Sequence, residues 1–130
     1  MNDADQIILR ALLESEDGFA SGGFLAEQLG ISRVAIWSRI EKLREFGCEI
    51  EARRGKGYRL HKLPKTLSAP CIRACLPERW RKIPIHFCDS IDSTNSEAER
   101  IFTAGEKRPP FIVVAREQTA GRGRLGRRWF

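Results

Sequence analysis

No run of apolar residues in this sequence approaches the roughly 18 needed to cross a bilayer, so nothing in it reads as a membrane span. The opening Met1-Asn2-Asp3-Ala4-Asp5-Gln6 lacks the basic start and apolar stretch of a secretory signal, and a cytoplasmic protein is expected. Cysteine is sparse. The four, at 48, 71, 75 and 88, form no C-x-x-C pair, and His61 and His86 stand at no recognisable ligand spacing from them. No protein-held metal is therefore expected. The thiols read as reduced small apolar side chains, with Cys71 and Cys75 able to share a helix face. Neither a Walker G-x-x-x-x-G-K-[ST] loop nor a G-x-G-x-x-G opening a Rossmann unit is present, and no internal repeat is visible.

What the chain does have is apolar mass for a core, 42% of 130 residues, which excludes fully disordered and collagen-like classes. Its length allows one ordinary domain or two small ones. It also carries 23 Lys and Arg against 17 Asp and Glu, a net of +6 that points to a polyanionic partner. The charge is unevenly spread. Residues 1–52 sum to −5, residues 53–63 to +5 and residues 64–130 to +6. The two basic regions need separate explanations.

Three helical patterns open the chain. Residues 4–15 place Ala4, Ile8, Ala11, Leu12 and Ser15 on one face, flanked by Ile7 and Leu9, and Gly18 ends the segment. Ser21 begins a short helix through Leu29, with Phe24, Leu25 and Leu29 apolar, and Gly30 stops it. Ser32 caps a third helix running to Phe46, with Gly47 beyond it. Its apolar stripe is Ile36, Ile40 and Leu43, with Ala35 and Phe46 alongside. Only Gly30 and Ile31 separate the second helix from the Ser32 cap, which suits a helix-turn-helix; an αα-hairpin in a small bundle is the plainer alternative. The next residues decide between them. Cys48-Glu49-Ile50-Glu51-Ala52 alternates apolar and polar, Arg54-Gly55-Lys56-Gly57 is a glycine-rich turn, and Tyr58-Arg59-Leu60 returns as a second strand. A helix-turn-helix with a basic-tipped hairpin is a winged helix.

In that architecture the third helix enters the major groove and the hairpin reaches neighbouring backbone. Ser32, Arg33, Trp37 and Ser38 are the candidates for DNA contact on the helix, and Lys42, Arg53, Arg54 and Lys56 supply charge for phosphate. Glu41 and Arg44 share the polar face. Trp37 lies off the apolar stripe, so it either contacts DNA or a partner, or packs against the first helix or the hairpin. For the basic hairpin, a solvated charged turn is the plainer account.

Residues 64–67 form a linker broken by Pro64, so residues 1–63 make one domain and residues 68–130 begin another. The second region is mixed α and β. It offers a short helix over 68–76, a strand near 83–89 and a helix from about Asn95 to Thr103. The apolar run Phe111–Ala115 suits a strand buried on both faces. The fold class is α+β. Two local signals carry chemistry. Asp92-Ser93-Thr94-Asn95 can cap the helix or present donors and acceptors to a small polar ligand. Gln118-Thr119-Ala120-Gly121-Arg122-Gly123-Arg124-Leu125-Gly126-Arg127-Arg128-Trp129 combines glycines, which allow close backbone approach and positive φ, with arginines that fork onto phosphate. An Arg/Gly tail that binds RNA is the alternative, against which stand the preceding apolar strand and the terminal Trp129-Phe130.

A winged helix followed by DSTNSEAERI and VVAREQTAGRGRLGRRWF resembles the bifunctional biotin–protein ligase and biotin operon repressor family, the BirA type. The resemblance covers essentially the whole chain, and its GRGRxGRxW element is highly specific. It implies a ligase that joins biotin to ATP as biotinyl-5′-adenylate and transfers biotin to a lysine of a biotin carboxyl carrier protein. It also implies Mg2+ accompanying ATP, and a homodimer that binds double-stranded operator DNA when the adenylate is bound. By position, Ser93, Thr94, Asn95 and Gln118 match the family's biotin pocket. Gly121, Arg122, Gly123 and Arg124 match the loop that closes over the adenylate, with Arg122 and Arg124 facing carboxylate and phosphate, and Trp129 matches the aromatic residue near adenine. Because the family's catalytic domain continues well beyond this loop, the chain reads as an N-terminal portion that retains DNA binding without completing catalysis. A purely DNA-binding winged-helix regulator without ligase activity is the alternative.

Overall fold

The computed structural model describes residues 3–127 and divides into two compact units, residues 1–77 and 78–130, each taken by itself below. Trp129 lies outside the described residues. The first unit contains α1 (Asp3–Glu14), α2 (Gly22–Leu29), α3 (Arg33–Glu45), β1 (Glu49–Arg53), β2 (Gly57–Lys62) and α4 (Ala69–Cys75). Its helix ends fall where the capping residues stand. Ser21 Oγ accepts from the Phe24 amide at 3.0 Å and Ser32 Oγ from the Ala35 amide at 3.1 Å. Gly30 closes α2 in the left-handed region at φ 62°, where the Cβ of another residue would be strained. The Gly30–Ser32 connection makes α2 and α3 a helix-turn-helix.

Ile8, Leu9, Leu25, Ile36, Ile40 and Leu43 are fully buried and form the centre of the core. Each such side chain contributes about 2 kcal/mol of apolar burial, so this layer is the main force holding the three helices together. The α3 stripe is the expected one. The α1 face is turned from the expected one, with Asp5, Ile8, Leu9 and Leu12 buried. Asp5 is buried because its carboxylate meets the Arg39 guanidinium of α3 at 3.0 Å, a pairing that hydropathy does not register. Phe46, expected beside the stripe, caps the end of α3 and is exposed. Arg44, expected on the polar face, is a strut: Nε and Nη2 donate to the Ile50 carbonyl at 3.0 and 2.7 Å, tying α3 to β1.

The hairpin pairs β1 and β2 antiparallel, from Glu49↔Lys62 to Arg53↔Gly57. A third segment joins it: the Ala20 and Tyr58 amides donate to each other's carbonyls at 2.8 and 2.9 Å. Gly57 makes this possible. Its φ is +110°, and a Cβ there would overlap the Ala20 carbonyl and Ser21 Cα. Helix α4 was expected to begin the second region with residues 68–130, but it packs on α1 in the first unit. Cys71 and Ala74 enter the core, and Arg10 Nη2 donates to the Arg73 carbonyl at 3.2 Å. Cys71 and Cys75 stand four apart on α4, the first buried and the second exposed.

The second unit has a 3-10 turn (Glu78–Trp80), β3 (Ile85–Ile91), α5 (Thr94–Thr103) and β4 (Ile112–Gln118). The strands pair in parallel from Ile85↔Ile112 to Ile91↔Gln118, with α5 in the connection, a β-α-β unit. Residues 112–115 are only half-buried, where burial on both faces was expected. Among the described residues β4 pairs with β3 alone, so it lacks the second neighbouring strand and the cover of an interior strand.

Gly57→Ala is expected to destabilise the first unit by more than about 2 kcal/mol in urea unfolding. Gly55→Ala, at φ +79° with open space around its Cα, should cost only about 1 kcal/mol. Equal effects would show that the close approach to Ala20 is unimportant.

Candidate functional site

In the first unit the candidate residues Ser32, Arg33, Trp37, Ser38, Lys42, Arg53, Arg54 and Lys56 are all exposed. They are not all in one place. Arg33, Arg53, Arg54 and Lys56 line a cleft of about 480 Å³ between the start of α2 and the hairpin. The Arg33 guanidinium lies so near Gly23 that a Cβ there would stand 2.9 Å from Nη2. Positive side chains and the N-terminus of α2 therefore share a surface suited to phosphate. Trp37, Ser38 and Lys42 stand on α3 outside the cleft lining. Trp37 is 56% exposed, so a large part of its ring faces outward while the rest is covered. Ser32 Oγ is engaged as the α3 cap. Val34, on the first turn of α3, is 74% exposed.

In the second unit the chemistry gathers where β3 and β4 end. The Thr119 and Ala120 amides donate to the Ile91 and Asp92 carbonyls, both at 2.8 Å, carrying the strand pairing past Gln118. That brings the two sequence signals together. Gln118 Oε1 accepts from the Thr94 amide at 2.8 Å and from Thr94 Oγ1 at 3.1 Å. Ser93 is buried, and its Oγ accepts from the Ser96 amide at 3.5 Å as the α5 cap. Gly121 is buried as well, and a Cβ there would press on the Gln118 side chain at 3.2 Å. Arg122 Nη2 then donates to Ser96 Oγ at 3.1 Å, laying the loop back on α5. Ser93, Thr94, Gln118, Gly121 and Arg122 thus form one cluster. Asn95 and Arg124 are exposed, and the Gly123 amide closes the loop on the Arg127 carbonyl at 2.7 Å. Positive φ was expected of the loop glycines; it falls on Gly126 and on Leu125 at φ 60°, while Gly121 serves close approach.

One feature of this turn went unread in the sequence. Asp92 accepts from Arg100 Nη2 and Nη1 at 2.7 and 3.1 Å, and from the Ser93 amide at 2.7 Å. The Arg100 hydrogen bonds, followed by that from the Ser93 amide, hold the carboxyl at about 2. Arg100 also binds Glu97 at 2.7 Å, and the carboxylates keep its guanidinium more firmly protonated. An acid just before the cap with an arginine eight residues on was the available signal. Among the described residues, no three His, Cys, Asp or Glu side chains stand together as a metal site would require.

The helix-turn-helix and the β-α-β loop each have counterparts among known proteins. Residues 6–59 match the family described as HTH domain, and residues 87–130 match the Biotin/lipoate A/B protein ligase family. The chain is 44% identical over 112 residues to the Bifunctional ligase/repressor BirA of Bacillus spizizenii, covering 85% of this chain and 34% of that protein. It is 39% identical over 123 residues to the protein of that name in Bacillus subtilis, 94% and 37% of the two lengths. The Escherichia coli relative, also so named, is 40% identical over 124 residues, 94% and 36%. The chain belongs to the BirA family. Its fold is accordingly an N-terminal helix-turn-helix followed by a mixed α/β region matching the start of the ligase domain. It spans little more than a third of the length of these relatives.

An NMR titration should find the Asp92 carboxyl at about 2, against the ordinary 3.8. Because the folded group is the stronger acid, its stabilisation is complete above the ordinary value and is lost as pH falls through about 2. Arg100→Gln should move the midpoint up towards 3.8. A midpoint near 3.8 in the unaltered chain would show that the clamp is not formed.

Proposed function

We propose that the first unit binds operator DNA as a winged helix and that the Thr94–Gln118–Arg122 cluster receives biotin and the adenylate in a biotin–protein ligase. The observation that carries this reading is the convergence of Ser93, Thr94, Gln118, Gly121 and Arg122 at the end of a parallel strand pair. The membership of the chain in a ligase/repressor family supports it further.

The chemistry asks for two things the cluster can supply. In the first step the biotin carboxylate attacks the α-phosphorus of ATP and expels pyrophosphate. In the second a carrier lysine takes the biotinyl group and AMP leaves. Negative charge on carboxylate and phosphates is met by Arg122 and Arg124, whose forked donors suit both groups. Thr94 and Gln118 offer neutral hydrogen-bonding groups to the uncharged parts of biotin, and buried Gly121 lets the backbone approach. Gly123 gives the loop room over the nucleotide, and Asn95 and Trp129 belong to the same segments. A loop closing there would shield a reactive mixed anhydride from water. Mg2+ would arrive with the ATP phosphates. The partners on this reading are double-stranded operator DNA, a biotin carboxyl carrier protein and a second copy of the protein, in the cytoplasm.

In a ligase containing this chain, Arg122→Ala should lower biotin-dependent pyrophosphate release about 100-fold. An unchanged rate would remove Arg122 from the site. For the winged helix, duplex binding should weaken steeply with salt, and Arg54→Ala and Lys56→Ala should each reduce the slope of log affinity against log salt by about 1. Unchanged slopes would make the hairpin a solvated turn. A DNA-binding regulator without ligase activity is the second reading, favoured by the self-contained core of residues 1–77. Absence of biotin-dependent pyrophosphate release from the whole protein would select it.

A further inference from the structure

Phe19 stands at the centre of the hairpin's positive charge. Its ring centroid lies 5.1 Å from the Arg53 guanidinium carbon, 5.6 Å from that of Arg59 and 5.7 Å from Lys56 Nζ. All three fall within the ~6 Å over which the negative face of a ring attracts a cation. They come from three places in the sequence of the hairpin: the end of β1, the turn and the middle of β2. The backbone holds the ring there. Ala20, the next residue, is bonded to Tyr58 in both directions, and Gly18 leaves room for Arg59, whose Nε would meet a Cβ at 3.1 Å.

Two carboxylates face this group. Asp17 lines the adjoining cleft together with Phe19 and the three cations. Glu51 binds Arg53 at 2.8 Å and His61 at 3.0 Å. Among the described residues Lys56 and Arg59 have no carboxylate partner. Three cations around one ring repel one another within about a Debye length, and the ring offsets only part of that repulsion. An external anion would relieve the remaining repulsion. Its place beside a helix-turn-helix, on the basic hairpin, matches the regularly charged backbone of a duplex.

We propose that Phe19 is a positioning residue for duplex DNA: its ring gathers Arg53, Lys56 and Arg59 into one subsite for backbone phosphate. The inference rests on the DNA-binding reading above, and it adds Arg59 and Phe19 to the residues that serve it. The ring needs no contact with DNA to act. It holds three long side chains that would otherwise lose rotamer freedom on binding.

The test is duplex binding by the whole chain across a salt series, with a random-sequence duplex as probe. Phe19→Leu keeps apolar bulk and removes the ring, and should weaken binding about 5-fold at low salt and flatten the salt slope. Phe19→Trp should restore both. Pentafluorophenylalanine at position 19 keeps the ring's shape and reverses the charge on its face, and should weaken binding like leucine even if Phe19→Leu proves unstable. Combining Phe19→Leu with Arg59→Gln should cost less than the two single losses together, since the ring acts through that cation. Unaltered affinity and slope with the fluorinated ring, or strictly additive losses in the double variant, would overturn the proposal while leaving DNA binding intact. No salt-sensitive duplex binding by the unaltered chain, or stronger binding to single-stranded RNA, would overturn the DNA reading and this inference with it.

Discussion

Two backbone hydrogen bonds between Ala20 and Tyr58 join the hairpin to the segment that leads into α2. A two-stranded ribbon by itself is only marginally stable in water, and here Arg44, Ile50 and Leu60 also tie it to the helices. With the Ala20–Tyr58 bonds the hairpin gains a third strand segment, and its basic turn is fixed beside the N-terminus of α2. The cleft lined by Arg33, Arg53, Arg54 and Lys56 exists because of this docking. So does the ring of cations around Phe19. The condition for the docking is a residue without a Cβ at position 57, where the two backbones meet.

The second unit solves a similar problem with a side chain. Gln118 lies at the end of β4 and Thr94 at the start of α5, and the carboxamide oxygen of one takes both donors of the other. The glycine-rich loop follows at once, so its arginines begin from a fixed point. Asp92 and Arg100 brace the same turn from the other end of the helix. A ligand recognised by groups on two different segments needs both to be held before it arrives, which lowers the ordering cost of binding. The exposed ion pairs contribute little to stability individually, and their value lies in this orientation.

Most helix limits were legible because local chemistry sets them. Ser21, Ser32 and Ser93 cap, Gly30 terminates, and the Ile36, Ile40, Leu43 stripe was sufficient to orient α3. The motifs at 92–95 and 118–124 were also legible, as residue types with a shared chemical purpose. What escaped was pairing at a distance. The burial of Asp5 depends on Arg39 of another helix, Arg44 is spent on the Ile50 carbonyl, and α4 joins α1 rather than the region that follows it. No periodicity within a segment records which other segment it will meet.

The sequence by itself determined the elements, the family and the two concentrations of positive charge, because capping, turn formation and motif spacing are properties of neighbouring residues. Only the tertiary structure decided how those charges are used. It put Phe19 among three cations supplied by the hairpin, brought Gln118 to Thr94 across 24 residues and made Arg122 meet Ser96. Such contacts follow from strand register and backbone approach, which depend on the whole core at once. A count of +6 could indicate a polyanionic partner; the fold gave each concentration of charge its particular neighbours.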